Sequence, residues 1–147
     1  ILAAGIVNKK RPVRLLSLVR DSPDQITEFA NAAGVPLKQC ELQDWTGWIE
    51  TLQLRTSVTL QASFSESFNY VGAESMLCGR PVVGSPAIRY LPSRWQAQPD
   101  SPNEIAERVL YLLDHYDAAS RQAARVATRL AKSQNKAFVK TVRSLME

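Results

Sequence analysis

The chain has 147 residues and a formal net charge of +4 at pH 7. Its length fits one domain, and its composition, 45% hydrophobic and 22% charged, is that of an ordinary globular protein. A net charge this small indicates no nucleic-acid partner, so we expect none. No apolar run approaches the roughly 18 residues that a membrane span requires.

The cysteines and the absence of two common nucleotide-binding motifs further narrow the possible functions. Cys40 and Cys78 are too few and too far apart for a CxxC metal or redox site or for a disulfide framework. We expect Cys78 to be a buried thiol in a reducing compartment, which favours the cytoplasm. His115 follows a helical run and is expected at the surface rather than in a site. Neither a G-x-G-x-x-G nor a G-x-x-x-x-G-K-[ST] run occurs, so dinucleotide oxidoreductases and P-loop enzymes lose support.

The opening fourteen residues allow two interpretations. Residues 1–5 could form a first strand that runs into a basic loop. Alternatively, Leu2 and Ile6 stand four apart, as on one side of a helix, and Lys9 and Lys10 would then lie at its C-terminus, where cations are favourable. The helix is favoured because residues 13–19 make the better strand.

Two helices and a short strand are predicted next. Pro23 suits the first position of a helix whose apolar face carries Ile26, Phe29 and Ala33 and which Gly34 ends. Residues 36–42 then give a strand. Asp44 can cap a further helix, and tryptophans three apart in a helix favour packing over base stacking. The apolar face of this helix comprises Trp45, Trp48, Ile49 and Leu52.

Residues 57–92 are the most informative stretch. Residues 57–62 alternate like a strand, a polar loop follows, and Val71, Met76 and Leu77 have helical spacing. Gly79 ends that helix, and residues 82–83 begin a second strand. The order predicts a βαβ unit with a right-handed crossover.

The chemistry of this unit lies where the first strand meets the helix. Ligands bind at the carboxyl ends of parallel strands, and the free N–H groups of Phe68, Asn69 and Tyr70 would attract an anion. Glu66 and Glu74 are separated by seven residues, so both carboxylates can face one ligand. Carboxylates accept hydrogen bonds from sugar hydroxyls, and a nucleotide sugar carries phosphates as well. The alternative is an ordinary solvated pair of glutamates.

The run E-S-F-N-Y-V-G-A-E-S-M-L-C-G-R-P-V-V-G-S, residues 66–85, resembles the donor-binding signature E-G-F-G-x-x-x-x-E-A-M-A-x-G-x-P-V-V of the large retaining family of GT-B glycosyltransferases. The resemblance implies that Glu66 is catalytic beside the donor sugar and that Glu74 binds the ribose hydroxyls. The family's glycines are replaced by Ser67 and Asn69, as in the S-E-[ST]-F-N variant of bacterial and phage members. The donor-binding residues implied are Ser67, Phe68, Asn69, Tyr70, Glu74 and Ser85.

The resemblance also implies a fold and a reaction. The fold would be a Rossmann-like three-layer α/β/α domain with a parallel sheet, spanning residues 1–147 as the donor-binding half of a GT-B enzyme, with the acceptor domain absent. The reaction would be hexosyl transfer, with retention, from a nucleotide-diphosphate sugar to an unknown acceptor. No cofactor is expected beyond the donor, and no metal, since no Asp-x-Asp occurs.

Further site residues depend on the same resemblance. A first loop supplies an Arg and a Lys to the diphosphate in the family, which makes Lys10 and Arg11 candidates if the opening is a strand and loop. If the opening is a helix, we expect the basic residues that bind the diphosphate in the family to lie upstream of this chain. Asp44 and Trp45 are candidates beside the nucleobase.

The last third, residues 102–146, is predicted to be helical. Ser101 caps a helix with Ile105, Val109 and Leu112 inside. One continuous basic stripe follows at steps of three and four: Arg121, Arg125, Arg129, Lys132, Lys136, Lys140 and Arg143. A solvated face, a peripheral membrane contact and an acidic partner are all compatible with it. A non-catalytic nucleotide- or phosphate-binding module and an interaction protein therefore remain alternative functions.

Overall fold

The computed structural model describes residues 1–17, 23–41 and 44–146, with side chains described as far as residue 136. Helices and short strands alternate along the chain. The helices are α1 (Leu2–Lys10), α2 (Pro23–Ala32), α3 (Trp45–Arg55), α4 (Tyr70–Leu77), α5 (Pro102–Asp114) and α6 (Tyr116–Met146), with a short 3₁₀ helix at Ser93–Trp95. The strands are β1 (Leu15–Ser17), β2 (Leu37–Gln39), β3 (Thr59–Gln61) and β4 (Val82–Gly84).

All strand pairing in these ranges is parallel. β1 pairs with β2, with Leu15 opposite Leu37, and β3 pairs with β4, with Thr59 opposite Val82. Each pair is joined through a helix, as parallel strands require. The predicted Rossmann-like α/β fold with parallel strands is therefore confirmed, and the βαβ unit around residues 57–84 is β3, α4 and β4.

The hydrophobic core is built around β4. Val82 and Val83 are completely buried, as expected for a strand covered on both faces. Met76 of α4, Leu112 of α5 and Trp95 fill the space around them and are also completely buried. The C-terminal helices pack against the βαβ unit, since α6 contacts α4 and α5 contacts β4, and α5 also packs on α1.

The structure confirms the helical opening and corrects the apolar faces predicted for two other helices. The opening is helical, as favoured, and α1 ends at Lys10. The apolar face assigned to α2 is wrong at Phe29, which is 63% exposed, while Ala30 is completely buried. Trp45, assigned to the apolar face of α3, is likewise 63% exposed. Parts of the strands predicted at 13–19 and 36–42 lie outside the described residues.

The end of α4 follows the prediction closely. Gly79 has a φ of +70°, the left-handed conformation that glycine adopts without steric cost. Its N–H donates to the carbonyl of Met76 at 3.0 Å, and the N–H of Arg80 donates to the carbonyl of Ser75 at 2.8 Å. This pair of hydrogen bonds is a Schellman motif, so the glycine ends the helix and turns the chain into β4.

The guanidinium of Arg80, between α4 and β4, contacts two helices. It donates to the carbonyls of Leu52 and Gln53 near the end of α3 and to the hydroxyl of Tyr116 at the start of α6. A cation is favourable beside the last carbonyls of a helix. Arg80 therefore fixes α3 relative to the βαβ unit. Within the described ranges, no helix combines the length and apolarity that crossing a membrane would require.

Candidate functional site

The candidate site lies at the carboxyl ends of β3 and β4 and the start of α4. The N–H of Ser85, directly after β4, donates to the carbonyl of Gln61 at 3.2 Å, which aligns the two strand ends. The loop 62–69 then leads from β3 to α4 and carries Glu66. Polar side chains from both strand ends and from the loop therefore meet at one edge, where parallel sheets bind their ligands.

Asn69 organises this edge. It is the N-cap of α4, and its Oδ1 accepts from the N–H of Gly72 at 2.7 Å. Its Nδ2 donates to Oε1 of Glu66 at 2.9 Å and to Oε1 of Gln61 at 3.1 Å. Its backbone has a φ of +61°, which asparagine tolerates better than most residues. Only 8% of the residue is exposed, so it acts as an internal connector rather than as a surface residue.

Glu66 is held by one of its two oxygens. Besides Asn69, the hydroxyl of Ser63 donates to Oε1, at 2.7 Å. The hydrogen bonds from Ser63 and Asn69 favour the ionised form and lower the pKa of Glu66 below its ordinary value. The other oxygen, Oε2, accepts no hydrogen bond from the described part of the chain. Glu66 is therefore an oriented carboxylate with one oxygen available.

Glu74 has the same arrangement with a different donor. The indole Nε1 of Trp48, on α3, donates to Oε2 of Glu74 at 2.7 Å. The oxygen Oε1 accepts nothing from residues 1–17, 23–41 or 44–136. Glu66 lies four residues before α4 begins and Glu74 is its fifth residue, so two anchored carboxylates flank the first turn of this helix.

The first turn itself offers hydrogen-bond donors. Asn69 satisfies the N–H of Gly72, but the N–H groups of Tyr70 and Val71 donate to no acceptor in the described ranges. Such groups carry the partial positive charge of a helix N-terminus and suit an anionic ligand.

Tyr90 closes the site from the loop after β4. Its hydroxyl donates to the carbonyl of Asn69 at 2.5 Å. Burial, and secondarily the charge of Glu66, raises the pKa of Tyr90 to about 12, so the phenol stays a donor under ordinary conditions. The ring of Phe68 lies between two other rings, 4.9 Å from Tyr70 and 5.6 Å from Tyr90. The aromatic side chains therefore support the loop that carries Glu66.

Ser85 has an unusual feature for a buried residue. It is 1% exposed, yet its hydroxyl has no hydrogen-bond partner among the described residues. Buried hydroxyls normally have a partner, because an unpaired one costs free energy. An unpaired hydroxyl next to the strand ends is the kind of group that a ligand would satisfy.

Some predicted residues lie elsewhere or do something else. Lys10 and Arg11 stand at the end of α1, and Arg11 pairs with Asp114 of α5 at 3.1 Å. No contact joins them to Glu66 or Glu74 in the described ranges. Asp44 accepts from the N–H of Gly47 at 2.8 Å as the cap of α3. Ser67 is exposed.

Sequence reasoning missed the groups that orient the carboxylates. Trp48 was assigned to packing, and Ser63, Gln61 and Tyr90 were not singled out. Gln61 ends β3 and Ser63 follows in the polar loop, so both lie within five residues before Glu66, which was a usable signal. Trp48 and Tyr90 come from distant segments, and nothing local in the sequence identifies them. No group of three or more His, Cys, Asp or Glu side chains that could hold a metal ion occurs in the described part.

No protein-family model matches the chain, and no curated protein is similar to it in sequence. Its structure is similar to the catalytic domain of cholesterol-α-glucosyltransferase from Helicobacter pylori, with a TM-score of 0.75 and 16% identity over 88% of this chain and 86% of that one. It is also similar to Anabaena HepE in complex with UDP-glucose and with UDP, with TM-scores of 0.73 and 0.72. Both matches have 16% identity and cover 97% of this chain and 44% of HepE, so the chain spans less than half of that protein. The chain therefore shares its fold with a glucosyltransferase catalytic domain and with part of a protein that binds UDP-glucose.

Proposed function

We propose that this chain is the donor-binding domain of a GT-B glycosyltransferase that transfers a hexosyl group from a nucleotide-diphosphate sugar. The observation that carries the proposal is the pair of anchored carboxylates, Glu66 and Glu74, which precede and follow in the sequence two helix N–H groups without an acceptor among the described residues. Such a site offers acceptors for sugar hydroxyls and donors for a diphosphate. The fold shared with a glucosyltransferase catalytic domain supports it.

In this proposal each group has one task. The N–H groups of Tyr70 and Val71 bind the diphosphate and stabilise the charge that develops on its leaving oxygen. Glu66 orients the donor sugar and Glu74 accepts from the ribose hydroxyls. The resemblance to the E-x7-E family implies a retaining reaction. We propose that neither a metal nor a cofactor takes part.

The acceptor would be bound by a second domain, since the resemblance is to one half of a GT-B enzyme. Transfer requires exclusion of water and an acceptor held against the anomeric carbon. The domain studied by itself should therefore bind the donor but transfer little. Lys10 and Arg11 remain proposed phosphate ligands only if α1 rearranges, because Arg11 is paired with Asp114.

Calorimetry with UDP-glucose and UDP tests the proposal. We expect UDP-glucose to bind more tightly than UDP, and Glu66→Ala to abolish that difference while UDP binding persists. Glu107→Ala, at an exposed glutamate of α5, is the matched control and should change neither affinity. Binding of UDP with no gain from the sugar would favour a non-catalytic nucleotide-binding module. Binding of neither ligand would overturn the proposal.

A second proposal concerns the basic face of α6, defined as Arg121, Arg125, Arg129, Lys132 and Lys136, all exposed. Residues 118–146 carry seven basic and no acidic side chains. The other residues carry 11 basic and 14 acidic ones, so their net charge is −3. Because one helix holds the whole positive excess, we propose that it contacts an anionic membrane surface on the cytoplasmic side.

Sedimentation with vesicles of phosphatidylglycerol and phosphatidylcholine tests this contact. Binding of the wild type to these vesicles should weaken as the salt concentration rises. A combined variant should not bind them; it carries Arg121→Gln, Arg125→Gln, Arg129→Gln and Lys132→Gln. A control variant with equal loss of charge should still bind. It neutralises four exposed basic residues outside α6, namely Lys9, Arg14, Lys38 and Arg55. Equal loss in both variants, or tighter binding to nucleic acid than to vesicles, would contradict the proposal.

A further inference from the structure

The indole of Trp48 reaches Glu74 from a different helix. Trp48 is the fourth residue of α3 and Glu74 the fifth of α4, and 26 positions separate them in the sequence. The hydrogen bond between Nε1 and Oε2 is 2.7 Å long and partly buried, which is the short geometry of a charge-assisted bond. An indole N–H donates one hydrogen bond and accepts none, so it can hold only one carboxylate oxygen.

The donor end of this contact is fixed by the fold. Asp44 caps α3 through the N–H of Gly47, and Arg80 binds the carbonyls near the end of the same helix. Trp48 itself is only partly exposed, whereas its neighbour Trp45 is 63% exposed. The donor is therefore held in place by a rigid helix. A side chain already oriented loses less conformational entropy when it accepts a hydrogen bond from a ligand.

We infer that Trp48 is a positioning residue, which orients Glu74 so that its free oxygen accepts hydrogen bonds from the ribose hydroxyls of the nucleotide. The inference rests on the proposed donor site. It adds to that site the residue that orients Glu74 for binding the ribose hydroxyls. It also explains why both site carboxylates have one oxygen anchored: Trp48 does for Glu74 what Ser63 and Asn69 do for Glu66.

The test compares UDP with 2′,3′-dideoxy-UDP in wild type and in Trp48→Phe. Wild type should prefer UDP by about tenfold or more, the size expected for hydrogen bonds to a charged acceptor. Trp48→Phe should bind UDP about tenfold more weakly while its affinity for dideoxy-UDP stays the same. A purely structural effect would weaken both ligands equally. Leu54→Ala, at an 80% exposed position of the same helix, is the control and should behave as wild type.

A second variant removes only the N–H. Replacing Trp48 by benzothienylalanine keeps the ring shape and substitutes sulfur for the donor, so it should lose the preference for UDP without loss of thermal stability. Glu74→Ala should lose the same preference. If Glu74→Ala loses it and both Trp48 variants keep it, the inference is wrong while the donor site stands. If wild type binds no nucleotide, the proposed function fails and the inference with it.

Discussion

Asn69 donates from its side chain to Glu66 at 2.9 Å while its own backbone is held in the left-handed conformation. The two facts are connected. With a φ of +61° the residue caps α4 through Oδ1 and presents Nδ2 to the carboxylate. In the family signature that residues 66–85 resemble, glycine stands at this position, and glycine adopts this φ freely. Asparagine keeps the backbone conformation and adds two hydrogen-bond donors to the site.

Two substitutions at Asn69 separate these contributions. Asn69→Ala should destabilise the protein by about 2 kcal/mol, because it removes the helix cap and leaves a residue with a Cβ atom at a positive φ. Asn69→Gly should cost less than about 1 kcal/mol, since glycine relieves the backbone cost and is a tolerable cap. Chemical denaturation measures both free energies of unfolding. Equal losses in the two variants would mean that the left-handed backbone is unimportant here.

Gly72 should resist substitution for a steric reason. A Cβ there would lie 2.7 Å from Oδ1 of Asn69 and 2.8 Å from the hydroxyl of Tyr90. Gly→Ala within a helix normally stabilises by about 0.5–1 kcal/mol, but here we expect a loss of about 1–3 kcal/mol from overpacking. Tyr90→Phe removes one of the two clashing atoms, so it should partly rescue Gly72→Ala.

That rescue is measured by a double-mutant cycle in denaturant. Tyr90→Phe alone should cost about 1 kcal/mol, because it removes the hydrogen bond to the carbonyl of Asn69. With the rescue, the double variant should be more stable than the sum of the single losses predicts. Strict additivity would show that Tyr90 does not limit the space beside Gly72.

The acid side of the stability profile should depend on Glu66. Hydrogen bonds from Ser63 and Asn69 lower its pKa in the folded state, so its carboxylate contributes stability above the ordinary pKa. That contribution is lost as the pH falls through the lowered value. Glu66→Gln should therefore show a flatter loss of stability between about pH 5 and about pH 2. Carboxyl NMR titration of Asn69→Gly should find the pKa of Glu66 closer to its ordinary value. An unchanged pKa would contradict the assigned hydrogen bond.

Local patterns in the sequence were sufficient for the backbone of the site. The alternation before residue 62, Gly79 after the helix and the buried Val82 and Val83 are each short-range signals, and they predicted β3, α4 and β4 in the right order. The helical opening was decided in the same way. The faces of α2 and α3 were less predictable, because periodicity alone cannot show that Phe29 and Trp45 lie on the uncovered side of their helices.

The side-chain partners of the carboxylates were only partly predictable. Ser63 and Asn69 lie three positions from Glu66, so local spacing could suggest them. Trp48 and Tyr90 reach the site through the tertiary arrangement of α3 and of the loop after β4, across 26 and 21 positions. Contacts at that separation depend on how whole elements pack, which a single sequence does not encode locally.

Ser85 provides a prediction in which stability and binding should move in opposite directions. Its hydroxyl is buried and has no partner in the described ranges, so the free protein carries an unpaired polar group. Ser85→Ala removes that group with little change in volume and should stabilise the free domain by roughly 1 kcal/mol. If the hydroxyl is a donor ligand, the same variant should bind UDP-glucose several-fold more weakly. Thermal unfolding and calorimetry on one preparation measure both effects. Greater stability with unchanged affinity would remove Ser85 from the proposed site, and lower stability would mean that the hydroxyl has a partner in the free protein.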